Sequence, residues 1–124
     1  MHSDIKGIPV EMQLDAIETR ADAWGQDVLL RHLDLPAGTD FRPLLAGLPG
    51  DRCSCPHYGY VLEGSITVEY ADGTRETTSA GEVYYWPGGH TGWTDDGVVF
   101  LEWSPTAEIQ PVLEHIANQL GVSA

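Results

Sequence analysis

Four side chains in this 124-residue chain have the types and spacing of metal ligands. Cys53, Cys55 and His57 alternate with Ser54 and Pro56 in the stretch CSCPH, and His90 follows Pro87-Gly88-Gly89 at what reads as the rim of a strand. Thiolate and imidazole are donors that zinc prefers. In an extended strand alternate residues share a face, so Cys53, Cys55 and His57 point one way. A straight run from Cys53 to His57 spans roughly 13 Å, too far for both ends to reach one ion. Pro56 cannot donate to a central ladder and favours a bend or an edge, and a bent CSCPH can chelate. Other readings compete. A disulfide between cysteines one residue apart would close a strained ring and is disfavoured. Haem attachment and thioredoxin-like redox chemistry both need two residues between the cysteines. Burial as small hydrophobes stays open for either cysteine, as does a carbonyl partner for His57 and a loop-capping role for His90.

Coordination number separates the functional outcomes. Two thiolates with two imidazoles would close a tetrahedral shell, the condition of a structural zinc, whereas three ligands leave a position for water or substrate. Zinc is the first choice of metal, with iron, manganese and copper left open. Tyr84, Tyr85, Trp86 and Trp93 are read as core, the commoner place for aromatics in a small β domain, or as the wall of a ligand cavity. Tyr58, Trp86, Trp93 and Glu102 are the pocket candidates. Glu102, between Leu101 and Trp103, is either an inward carboxylate or a solvated edge charge, and Glu63 and Tyr58 are further acid or base candidates.

These residues must be carried by strands. From Asp51 onward YGYVLEG, SITVEYADG, TRETTSAG, EVYYWPGG and GVVFLEWSP are short runs rich in β-branched and aromatic residues, each closed by Gly, Pro or Asp. That spacing predicts an antiparallel sandwich or barrel. Asp72-Gly73 reads as a hairpin turn. DVLLRHLDLPAGTDF reads as one earlier strand ended at Pro36-Ala37-Gly38. In the tail, Val112, Leu113, Ile116, Ala117 and Leu120 share a helical face, with Pro111 suited to a first turn and Gly121 to the stop. The expectation is a single all-β domain over 1–124, with a barrel from about Val28 to Trp103. Residues 1–27 are read as a flank, and one short helix spans about 110–120.

Six basic against nineteen acidic residues give a formal charge of −13, which opposes phosphate backbones and anionic lipid, so neither nucleic acid nor membrane is expected as a partner. The first twenty residues hold no apolar run fit for a signal peptide, and the expected compartment is the cytoplasm, where stable disulfides are rare. No nucleotide-binding loop or Ser/His/Asp arrangement is present.

Between Gly50 and Trp103 the sequence resembles the cupins. Gly81, five residues, Pro87, a glycine pair and His90 are similar to the second cupin motif, although His90 follows Gly89 directly, two residues earlier than in the family pattern. Thr94 stands where the family has a terminal asparagine. YVLEG is the family's wording for the end of its first motif. With Gly64 as anchor, the motif's glutamate falls on His57, and its paired histidines fall on Asp51 and Cys53, or on Cys53 and Cys55 if the connection is two residues shorter. Neither histidine is kept. The resemblance implies a small double-stranded β-barrel of the jelly-roll type, usually a homodimer, with a metal held inside by Cys53, Cys55, His57 and His90. It fixes no activity, because cupins serve many chemistries. The reading is therefore a small metal-binding cupin-type protein that binds or transforms a small organic molecule. The alternative is a non-catalytic ligand- or metal-sensing module with a structural zinc.

Overall fold

The computed structural model describes residues 1–122. Eight antiparallel strands and two helices follow in the order β1 (Val10–Leu14), β2 (Ile17–Ala23), β3 (Val28–Leu35), α1 (Arg42–Leu45), β4 (His57–Tyr70), β5 (Arg75–Ser79), β6 (Val83–Trp86), β7 (His90–Trp93), β8 (Val98–Pro105) and α2 (Thr106–Leu120). One sheet runs β1-β2-β3-β8-β4, with β6 on the first half of β4; the second half of β4 carries β5 and β7 in the opposing sheet. The two sheets face each other as an unclosed, barrel-like sandwich.

The long β4 joins the two layers, and its sequence shows how. His57 and Val61 are buried in its first half, whereas Ile66 and Val68 are buried in its second, so the inward parity switches. A register shift between Val61 and Glu63 supplies the extra residue, and Gly64 follows at φ 73°. A side chain at Gly64 would run into the Gly97 carbonyl. YGYVLEG and SITVEYADG, read as separate strands, are thus one strand bent at a bulge. Tyr70 N donates to Thr74 O across the expected Asp72-Gly73 turn, with Gly73 at φ 86°.

Leu33, Leu35, Val61, Val68, Trp86 and Phe100 build the main core between the sheets. A second cluster of Leu45, Cys53, Cys55, Ile109 and Val112 forms where α2 packs on the end of the barrel. Gly121, in the left-handed region at φ 74°, ends α2 as its sequence predicts. The helix starts at Thr106, however, ahead of the expected start near 110: Pro111 lies within the helix on its exposed side, where the missing N–H is tolerable. The segment read as a flank also differs. Residues 10–23 form a hairpin that pairs onto β3 through Thr19↔Leu33 and Ala21↔Arg31. Its turn places Asp15 at φ 52° and contains no glycine, and the face of β2 opposite Glu18, Arg20 and Asp22 carries Thr19, Ala21 and Ala23 rather than large apolar residues, which weakens the period-2 signal.

Candidate metal centre

Three of the four expected ligands meet inside the barrel. His57 opens β4 and His90 opens β7, and both are buried at 5% exposure. Cys53 lies just before β4 and forms a single bridge with His90, its N–H donating to His90 O at 2.8 Å. The backbone bends at Cys55, as a chelating CSCPH requires. The Cys53 Sγ–His57 Nε2 distance is 3.5 Å, the two imidazole centroids lie 4.9 Å apart, and one ligand atom from each of Cys53, His57 and His90 falls within 4.8 Å of the others. Around tetrahedral zinc, with bonds of about 2.3 Å to sulfur and 2.0–2.1 Å to nitrogen, donor pairs sit roughly 3.3–3.6 Å apart. The Cys53–His57 pair already has that spacing, and the thiol and two imidazoles are donors of the kind zinc takes, with the set as a whole within 4.8 Å.

Cys55 does not join them. The bend turns its thiol aside to donate to Pro56 O at 3.3 Å, and the residue is fully buried in the cluster under α2. The straight-strand parity that put it beside Cys53 and His57 fails because the chain is not a strand there. Asp51 also lies elsewhere, on an exposed turn where it accepts from Gly47 N. Of the two motif alignments, the one that pairs Asp51 with Cys53 therefore matches the placement of Cys53 and His57, with Asp51 itself outside the site. Thr94, at the family's asparagine position, ties the turn before β8: its hydroxyl donates to Ser65 O and accepts from Gly97 N.

The outer nitrogens of both imidazoles are engaged. His90 Nδ1 lies 2.8 Å from Pro87 O, an atom that can only accept, so Nδ1 carries the proton and Nε2 presents a lone pair to the site. His57 Nδ1 lies 2.7 Å from Ser104 Oγ and 3.6 Å from Glu102 Oε1. Glu102 is inward and 3% exposed, which decides between its two readings. Its other oxygen accepts from Arg31 Nη1 at 3.1 Å, and Arg31 also holds Glu11 through Nη2 and Nε at 3.1 and 3.3 Å. Breaking a buried pair of this kind strands a charge at a cost of about 3–5 kcal/mol.

Burial pushes the Cys53 and Cys55 thiols up to about 12 and pulls His57 down to about 4; it lowers His90 too. Both imidazoles are therefore neutral at pH 7 and have the form that can ligate a metal. The run Cys53–His57–Glu102 looks superficially like a nucleophilic thiol triad, yet a thiol so raised is unreactive without a metal to displace its proton. Burial would raise Glu102, but the opposing pull of His57 and Arg31 wins and holds it below the usual carboxylate range. With His57 neutral, Arg31 is the cation that matters.

A cavity of about 60 Å³ adjoins Cys53, His57 and His90, walled by Trp86, Phe100, Val68 and Glu102. Trp86 Nε1 is buried there and has no hydrogen-bond partner among the described residues. The other aromatic pocket candidates lie outside. Tyr58 is 54% exposed and stacks on Tyr85, because it follows inward-facing His57 on β4 and strand alternation sends it outward. Trp93, likewise, follows Gly92 and sits on the outer side under the guanidinium groups of Arg42 and Arg75. Tyr84 belongs to the core and donates to Leu101 O, and Glu63 is exposed at the bulge. Sequence reading missed Arg31 and Ser104. The available signals were a lone cation in the apolar run VLLRHLDL and a serine two residues beyond Glu102, on the same face of β8.

Neither a protein-family model nor a curated protein matches the sequence. Solved structures do match in fold. An RmlC-like cupin from Shewanella frigidimarina superposes with a TM-score of 0.58 at 16% identity, over 83% of this chain and 88% of that one. The polyketide cyclase RemF from Streptomyces resistomycificus gives 0.62 at 19% identity, over 86% and 79%. A mutant oxalate decarboxylase from Bacillus subtilis gives 0.61 at 14% identity, over 96% of this chain and 36% of that one. The chain has the cupin fold.

Proposed function

We propose that this protein holds a divalent metal, zinc foremost, through Cys53, His57 and His90, and that it binds or transforms a small organic molecule beside that metal. The observation that carries the reading is the convergence of one thiol and two imidazoles within 4.8 Å, while Cys55 faces away. A thiolate among imidazoles favours zinc or copper(I) over iron or manganese. Three protein ligands leave a position open, and a zinc ion there would supply Lewis acidity to an oxygen of the bound molecule. The chain's own residues then have separate tasks. Pro87 O and Ser104 fix the imidazole orientations, Glu102 backs His57, and Arg31 keeps Glu102 ionised. Trp86 Nε1 is a spare donor for a ligand oxygen.

The small dianion that oxalate decarboxylase is named for finds little support, because Arg31 is committed to two carboxylates. A largely apolar molecule suits the walls better. The competing module with a structural zinc needs a fourth protein ligand, and Cys55 would have to turn to provide it. We further propose a cytoplasmic homodimer; among the described residues no helix is long and apolar enough to cross a membrane. In a His57→Ala, His90→Ala double variant, metal content should fall from one per chain to none and the metal-dependent rise in melting temperature should vanish. Full metal occupancy in that variant would remove the proposal.

A further inference from the structure

A second, larger cavity of about 390 Å³ lies between the inner face of the β1–β3 region and α2. Ile17, Ala21 and Leu29 line it from the strands; Leu113, Ile116 and Ala117 line it from the helix. Its size falls in the range of small-molecule sites. Leu33, Phe41, Leu113, Ile116 and the Arg31 stem also wall the metal cavity, so the two spaces are neighbours across one set of side chains. Behind these apolar walls lies one unanswered polar atom, which a turn of its side chain would bring to the cavity surface. Thr19 is 2% exposed, lines the cavity, and its hydroxyl has no partner among the described residues. A buried hydroxyl without a partner costs free energy that a bound ligand would recover.

Charge narrows the ligand further. The cavity's ionisable groups are Glu11, Arg31 and Glu114, and Arg31 is already paired with Glu11 and Glu102. An anion would meet carboxylates and no free cation. We infer that this cavity is the chamber for an uncharged, mostly apolar molecule carrying one hydroxyl, carbonyl or N–H group, anchored at Thr19 Oγ1 and reaching toward the metal cavity past Leu33 and Phe41. What happens to the molecule rests on the metal-site reading above; its binding does not.

The test compares two dyes of one skeleton on the whole protein by fluorescence titration: neutral N-phenyl-1-naphthylamine and anionic 8-anilino-1-naphthalenesulfonate. The neutral dye should bind saturably, one per chain, and the sulfonate at least about tenfold more weakly, since its charge has no partner inside. Ala21→Phe should fill the chamber and abolish binding, and Thr19→Val should weaken it about fivefold, the loss of one hydrogen bond. Ala21→Val, a smaller filling, should give an intermediate loss if the phenylalanine variant does not fold. Metal content should be unchanged in each. Equal affinity for the sulfonate, no saturable binding of the neutral dye, or indifference to both Ala21→Val and Thr19→Val would overturn the inference. The His57→Ala, His90→Ala variant separates the two claims. Dye binding that survives without metal supports the chamber alone, whereas metal binding without dye binding sinks the chamber and leaves the metal site standing.

Discussion

His57 is held from both sides, with Nε2 toward Cys53 and Nδ1 against Ser104 and Glu102, and that double hold turns a buried imidazole into an aimed one. Outer partners of ligating histidines fix tautomer and orientation, and their loss costs about 10–100-fold in metal affinity. Ser104→Ala should therefore weaken zinc binding by about that factor in a competition titration with a chelator, while the fold keeps its cooperative melt. An unchanged affinity would show that Ser104 merely fills space. At this scale the three clustered side chains were more legible than their supports. His57 and His90 stand out because proline and glycine flank them at strand ends, and Cys53 because it neighbours His57. Cys55 was misplaced because parity holds only while the chain stays extended, and the bend falls at that residue. Arg31 and Ser104 left only faint signals, a cation in an apolar run and a serine two residues beyond Glu102. Their roles follow from Arg31↔Glu102 standing opposite each other on β3 and β8, a register no local pattern states.

At the scale of elements, two loops make the site. The segment around Cys53 lies on the Pro87–His90 turn, locked by Cys53 N to His90 O and Gly89 N to Cys53 O, both at 2.8 Å. Gly88 permits the contact, since a Cβ there would strike the Ser54 carbonyl oxygen. Gly88→Ala should push the loops apart, moving Cys53 away from His90. Metal affinity should drop by roughly tenfold or more while the strands keep their circular dichroism, because the change sits at the rim rather than in the core. A variant with native metal affinity would mean that the loop pairing does not set ligand spacing. Strand identity was largely readable from composition and turn residues, from Val28 to Trp103. The first hairpin was not: its turn relies on Asp15 at positive φ, which composition does not flag. The bulge in β4 was equally silent, though it decides that Val61 and Ile66 share an interior.

The whole molecule is strongly acidic, yet one outer face of the sheet presents Tyr58, Tyr60, Val83 and Tyr85 on adjacent rungs of β4 and β6 with no charge among them. Two copies can cover that patch without bringing carboxylates together at its centre. Sedimentation should give a dimer at micromolar concentration, and Tyr58→Glu with Tyr85→Glu should give a monomer of unchanged metal content; a monomeric parent protein would rule the pairing out. The fold itself was legible because strand spacing, Gly-Pro punctuation and the YVLEG and Pro-Gly-Gly-His wording agree. Whether the barrel hosts a closed structural ion or an open site was not, because that turns on the orientation of a single thiol. The direct measurement is metal stoichiometry by elemental analysis of purified Cys53→Ser and Cys55→Ser proteins loaded with zinc. The three-ligand site requires that Cys53→Ser lose the metal and Cys55→Ser keep one zinc per chain. Loss of zinc from both variants would mean a closed four-ligand shell, and full retention in Cys53→Ser would contradict the site altogether.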